Sequence, residues 1–178
     1  APWIAPYGES QIVGDVWEPI GGTFFFGTDQ IGRDLLSRLV YGARNTISLA
    51  LLTTALAFLI GGLLGFLAAT MRGWVDQLLS RFVDIIISIP TLIFALIVLS
   101  AVGTSIPVLI SVIGLVYAMP VYRIARAVAM DIEIMDYVEV ARLRGEGLWW
   151  IMRREILPNA LTPLAAEFGL RFCFVFLL

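Results

Sequence analysis

From Asn45 to Met71 the chain runs for 27 residues without a charge, and from Ile85 to Tyr122 for another 38. No other feature limits the fold as strictly. About 20 apolar residues, rising 1.5 Å each in a helix, cross the ~30 Å hydrocarbon layer of a bilayer. Inside that layer every backbone N–H and C=O needs a partner, and an uninterrupted apolar segment finds them within its own helix. The first run is therefore one span, about 45–70. The second is too long for one span and long enough for two. Gly103-Thr104-Ser105-Ile106-Pro107 is a turn cluster that divides it into spans at about 85–102 and 107–128. Pro90 and Pro120 lie within these spans, where embedded helices tolerate proline if neighbours satisfy the freed carbonyls. A fourth apolar run, about 161–178, stops roughly one turn short of a crossing, as if truncated. The fold expected is all-α, a polytopic transmembrane helical bundle.

Composition narrows the chemistry. Residues are 60% apolar and 15% charged, against about 25% charged in a soluble domain. All twelve cations are arginine; there is no lysine or histidine, and Cys173 is the single cysteine. A P-loop needs a lysine on its phosphates, and Ser-His-Asp triads and imidazole zinc sites need histidine. A disulfide within the chain needs a second cysteine. The sequence expectation is therefore a chain that is not an enzyme and binds no cofactor or metal itself.

Residues 1–44 read as an extracytoplasmic segment, rich in proline, glycine and acid, that turns helical near 29–44. Asp29 and the residues after it are candidates to cap that helix. The segment lacks a signal-peptide pattern and begins as if cut from a longer chain. Orientation follows from arginine placement. Segments 1–45 and 103–107 carry Arg33, Arg38 and Arg44, whereas 71–84 and 123–160 carry eight arginines. Basic loops stay on the cytoplasmic side, so residue 1 is expected outside and the 129–160 loop inside. Between the first two spans, Trp74, Val75, Leu78, Leu79, Phe82 and Val83 alternate with Arg72, Asp76, Arg81 and Asp84 in an amphipathic interfacial helix.

The 129–160 segment is the most unusual. A helix at about 131–144 brings Ile132, Met135, Val138 and Leu143 together; a second at about 148–156 does the same for Leu148, Ile151, Met152 and Ile156. Gly145 and Gly147 lie between them and permit the positive φ of a sharp reversal. Leu157-Pro158 is expected to end the second helix. Such an elbow is either a solvated loop anchored by Trp149 and Trp150, or a docking element for a cytoplasmic protein.

Glu139-Val140-Ala141, then Gly145, then Leu157-Pro158-Asn159 closely resembles the EAA loop of bacterial ABC importer permeases of type I, with Val140 at the family's central alanine and Glu155 where an aliphatic residue is usual. Gly27 to Arg38 with Tyr41-Gly42-Ala43-Arg44, Trp3 to Tyr7, Arg72 to Asp76 and Arg81 to Pro90 are similar to segments of the dipeptide/oligopeptide/nickel subfamily, in its C-type permease. The resemblance covers essentially the whole chain. It implies part of a six-span permease fold, lacking a first span, the end of the fifth and a sixth. It further implies that the 129–160 loop couples to a separate ATPase through Glu139, Ala141, Arg142, Gly145, Leu157 and Pro158. The implied partners are a second permease subunit in a heterodimer, two ATPase subunits that hold ATP and Mg, a periplasmic or lipid-anchored solute-binding protein, and the lipids of the bacterial inner membrane. No nucleic acid is expected. The substrate class implied is peptides or similar small solutes, with dipeptides, oligopeptides, glutathione, opines and nickel complexes left open.

Other residues carry two readings each. Glu167 and Arg171, four apart in the last apolar run, are either a translocation-path site or an intramembrane ion pair. Asp29, Arg33 and Asp34 either contact the binding protein or form an ion-paired helix start. Gly61 and Gly65 suit close helix packing. The alternative function is a secondary transporter or another non-ABC polytopic membrane protein. A secondary transporter usually shows inverted repeats and midplane carboxylates; no repeat is visible.

Overall fold

A computed structural model describes residues 3–71 and 73–177. Seven α-helices appear: α1 (Leu35–Met71), α2 (Gly73–Ile87), α3 (Thr91–Val102), α4 (Ile106–Glu133), α5 (Asp136–Leu143), α6 (Leu148–Ile151) and α7 (Leu157–Leu177), with a π-helical turn, Met152–Ile156, joining the last two. Among the described residues there is no strand, only two isolated bridges, Ile12 with Arg33 and Thr28 with Asp34. Among the described residues three helical stretches are long and apolar enough to cross a membrane, Leu35–Met71, Ile106–Glu133 and Leu148–Leu177, or four if the bent pair Gly73–Ile87 and Thr91–Val102 counts as one span. The chain is an all-α, multi-pass membrane protein. It divides into two compact units, Ala1–Leu49 and Ala50–Leu178.

The first unit is irregular up to the start of α1 and is organised by three buried polar side chains. Thr28 Oγ1 accepts from Glu18 N at 2.8 Å and donates to the Asp15 carbonyl at 2.5 Å. Asp29 and Asp34, both within the stretch expected to cap the helix, divide the work. Asp34 Oδ2 accepts from Ser37 N at 2.8 Å and Ser37 Oγ at 2.6 Å, and so it caps α1. Asp29 holds the preceding turn. The helix begins at Leu35 and runs unbroken through the expected first span.

In the second unit α1 and α4 run in the same direction at very close range. A Cβ built on Gly61 would lie 2.4 Å from the Ala118 carbonyl oxygen, and one on Gly65 2.8 Å from that of Tyr122. Only glycine admits that approach, so the small-residue pair is a bundle contact. On another side of α4, Arg126 pairs with Asp76 of α2, its Nη2 2.6 Å from Oδ2, and Ser80 and Tyr122 hydroxyls meet at 2.9 Å.

Two expectations about helix continuity need correction. The span at 85–102 is not one helix: α2 and α3 meet at an 87° bend across Ser88–Pro90. A residue before proline disfavours the α region, as Ile89 does here by sequence, and Pro90 (φ −54°, ψ 125°) serves as the N-cap of α3. Conversely, Leu157-Pro158 does not end a helix. Pro158 has no N–H to give the Arg154 carbonyl, and the ladder absorbs the loss. Leu157 N–H reaches the Met152 carbonyl five residues back, and Asn159 Nδ2 donates to the Glu155 carbonyl at 2.7 Å. The helical path therefore continues from Leu148 to Leu177, and the fourth span emerges from the elbow without a break.

Candidate functional site

The 129–160 segment folds as the end of α4, then α5, a glycine turn, α6 and the π-turn. The expected helix at 131–144 is interrupted: α4 stops at Glu133, and extended Met135 (φ −76°, ψ 143°) starts α5. Acidic Asp136 and Glu139 in the first turn of α5, and Arg142 in the last, complement its macrodipole. The C-terminus closes in a Schellman motif. Gly145 N–H bonds the Arg142 carbonyl at 2.9 Å and Glu146 N–H the Ala141 carbonyl at 3.2 Å, with Gly145 at φ +83°. A Cβ there would meet open space, so the turn requires glycine for its φ alone.

One face of the elbow is rooted. Val138 and Ala141 of α5 share a core with Phe66 and Ala69 of α1, Ala125, Ala129 and Ile132 of α4, and Ile151, Met152, Ile156, Ala160 and Leu164 beyond the turn. The opposite face is apolar and exposed. Leu143 is 82% accessible, Ile134 73% and Trp149 66%. Met135 and Leu143, expected beside Ile132 and Val138, and Leu148, expected beside Ile151, Met152 and Ile156, are exposed while those neighbours are buried, because the breaks at Ile134–Met135 and Gly145 restart the helical phase. Ile134 and Leu143 share the lining of one cleft, whereas Trp149 lines a separate apolar groove.

The six sequence-nominated elbow residues separate into distinct positions. Glu139 and Arg142 line a cleft of about 520 Å³ with Glu133, Ile134 and Leu143. Ala141 is in the core, Gly145 makes the turn, and Pro158 shapes the π-turn. Leu157 instead lines an apolar groove of about 650 Å³ with Phe58, Gly62, Phe66 and Arg153. Glu133 escaped the sequence reading. Its buried carboxylate pairs with the Arg142 guanidinium and ties α5 to the end of α4. The signal for it was present: Glu133 falls four residues after buried Ala129, on the inward stripe of α4. The Asp76–Arg126 pair, fifty residues apart in sequence, left no local trace.

Glu167 and Arg171 form the ion pair anticipated as one of two readings, Arg171 Nε lying 2.5 Å from Glu167 Oε1. Asp29 and Asp34 are only 5% and 3% accessible. Asp29 accepts from Ile31 N (2.8 Å), Arg33 N (3.0 Å), Arg33 Nε (2.9 Å) and Arg38 Nη1 (2.7 Å). The Arg33 backbone N–H is the first cause holding this carboxyl well below the usual range, followed among the stabilising contacts by Ile31 N–H and the Arg33 side chain. Asp29, Arg33 and Asp34 thus form the ion-paired, capped helix start that is one of their two readings.

The sequence matches a family model, binding-protein-dependent transport system inner membrane component, over residues 59–178. It is 35% identical over 180 residues to the di/tripeptide transport system permease protein DppC of Pseudomonas aeruginosa, covering 97% of this chain and 59% of that one. It is 34% identical to the probable D,D-dipeptide transport system permease protein DdpC of Escherichia coli, covering 96% and 57%. To the glutathione transport system permease protein GsiD of Pectobacterium atrosepticum it is 27% identical, covering 83% and 49%. The chain thus spans about three-fifths of the length of the first two of these relatives.

Proposed function

The chain belongs to the family of binding-protein-dependent transport system inner membrane components, and on that premise we propose that it is a permease subunit of an ATP-driven importer of peptides or similar small solutes. It is a non-catalytic membrane component. ATP and Mg belong to two separate ATPase subunits, and a second permease completes the pore. A periplasmic or lipid-anchored binding protein delivers the substrate on the side of residues 3–34. The excess of arginine in 71–84 and 123–160 supports an inner-membrane orientation with the elbow in the cytoplasm.

The observation that carries this reading is the shared core under α5. The exposed face of the elbow offers Leu143, Ile134 and Trp149 to a partner, while Val138 and Ala141 are packed among the ends of α1, α4 and α7. A close-packed interior transmits displacement instead of absorbing it. When the ATPase dimer closes on ATP, the elbow moves with it and biases the spans between inward-open and outward-open arrangements. Glu139 and Arg142 give the contact polar registration, and Gly145 holds the angle between α5 and α6.

The test is Gly145→Trp in the assembled transporter reconstituted in proteoliposomes. The expected result is continued ATP hydrolysis with peptide uptake lost. Uptake at the wild-type rate would overturn the assignment of the elbow as the coupling element.

A further inference from the structure

On α7 the bundle-facing residues form one stripe. Ile156, just before the helix, and Ala160 are fully buried, and Leu164 is 9% accessible. The same three-and-four rhythm continues to Glu167 and Arg171. Phe168 packs edge-on against Phe58 of α1, with ring centroids 5.1 Å apart, which fixes the rotation of α7 at this level. Counted from Glu155, Glu167 lies twelve residues and Arg171 sixteen along the helix. At 1.5 Å per residue that is about 18 and 24 Å, inside a ~30 Å apolar layer. The uncharged runs 45–71 and 85–122 supply no charge at comparable depth. Burial relaxes along the stripe: the side chains of Glu167 and Arg171 keep 14% and 22% of their accessibility. The packing opens where the charges begin.

We propose that the Glu167–Arg171 pair is a transit site for zwitterionic peptides. The carboxylate of Glu167 takes the peptide ammonium, and the guanidinium of Arg171 takes the peptide carboxylate. The proposal rests on the importer reading above. Without ligand each charge neutralises the other, so neither is left desolvated alone. Side chains four apart on a helix have Cβ atoms about 5–6 Å apart, and an extended dipeptide spans at most about 7 Å. A peptide with free termini therefore exchanges one internal pair for two similar ones. Stripping water from both peptide termini offsets the second pair, and this near-even exchange keeps binding weak, as passage requires: favourable enough to enter and weak enough to leave.

The test compares Glu167→Gln, Arg171→Gln and the double variant Glu167→Gln/Arg171→Gln in the assembled transporter, reconstituted with its binding protein. Membrane abundance, ATP hydrolysis stimulated by the binding protein, and uptake of a radiolabelled dipeptide are read in parallel. Removing both charges leaves no buried unpaired charge, so a merely structural bridge predicts that the double variant recovers wild-type uptake. The transit site predicts that the double variant keeps wild-type abundance and stimulated hydrolysis while dipeptide uptake stays at least tenfold down. Recovered uptake, or loss of abundance in the double variant, would overturn the proposal. A wild-type complex with stimulated hydrolysis but no peptide uptake would instead overturn the importer reading.

Discussion

Asp29 receives four hydrogen bonds from three residues, and Asp34 receives two from Ser37. The two acids differ in what they stabilise. Asp29 has a depressed folded-state pKa, so its stabilisation is fully present above the unfolded value of about 4. It is lost as pH falls from there through the folded value. Limited proteolysis of residues 3–34 is expected to accelerate below about pH 4 in the wild type. In Asp29→Asn cleavage should be faster at neutral pH and flatter across the same interval. Equal pH profiles for the two proteins would refute the role of Asp29. Asp34 acts as a cap, and Asp34→Ala should cost about 1 kcal/mol at the start of α1, seen as faster amide exchange over Leu35–Tyr41 with the rest of α1 unchanged. At this scale the sequence was legible where a backbone requirement is local, as at Gly145. It was illegible in how Asp29 and Asp34 divide turn-holding from capping, since either role suits an aspartate.

Among elements, proline had three outcomes. Pro90 breaks the chain between α2 and α3, Pro120 and Pro163 are carried inside α4 and α7, and Pro158 follows a π-turn. Spacing and hydropathy treat these positions alike. What separates them is where the freed carbonyls find partners, and that depends on neighbours the sequence does not align. Three of the four expected spans correspond to helices long and apolar enough to cross, while the break at Ser88–Pro90 and the continuity through Pro158 were not readable. The π-turn carries one extra residue in the ladder, a phase step of about 100°. Pro158→Ala restores a donor for the Arg154 carbonyl and lets the turn relax to α-helix. It should therefore rotate the elbow against the core. The expected outcome is normal membrane abundance with ATP hydrolysis no longer matched to uptake. Unchanged coupling would show the π-turn to be incidental.

For the whole molecule, the two faces of the elbow should separate in experiment. Ile156 is fully buried in the core that joins α1, α4, α5 and α7. Ile156→Ala is expected to cost about 2–5 kcal/mol, read as a lower midpoint of thermal unfolding in detergent. Leu143 is 82% accessible, and Leu143→Asp should leave that midpoint unchanged while the ATPase subunits no longer co-purify. A fall in the midpoint for Leu143→Asp would mean that the exposed face is part of the permease interior. The elbow was readable, but Met135 and Leu143 group by spacing with Ile132 and Val138, and Leu148 with Ile151, Met152 and Ile156, since periodicity carried across a break joins residues that face different ways.

The bend at Ser88–Pro90 also sets a level for water. α4 starts at Ile106, a few residues after α3 ends at Val102, so the two helices share one end of the bundle. From there the twelve residues of α3 reach about 18 Å into a ~30 Å layer, which leaves about 12 Å on the elbow side. Peptide groups that leave the helical ladder at the bend are stable only where protein or water receives them. α2 leaves the bend at 87° to α3, so Asp76, Ser80 and Asp84 run across the layer near this level. On the elbow side the apolar slab is therefore expected to be locally shallow, with hydration reaching the bend.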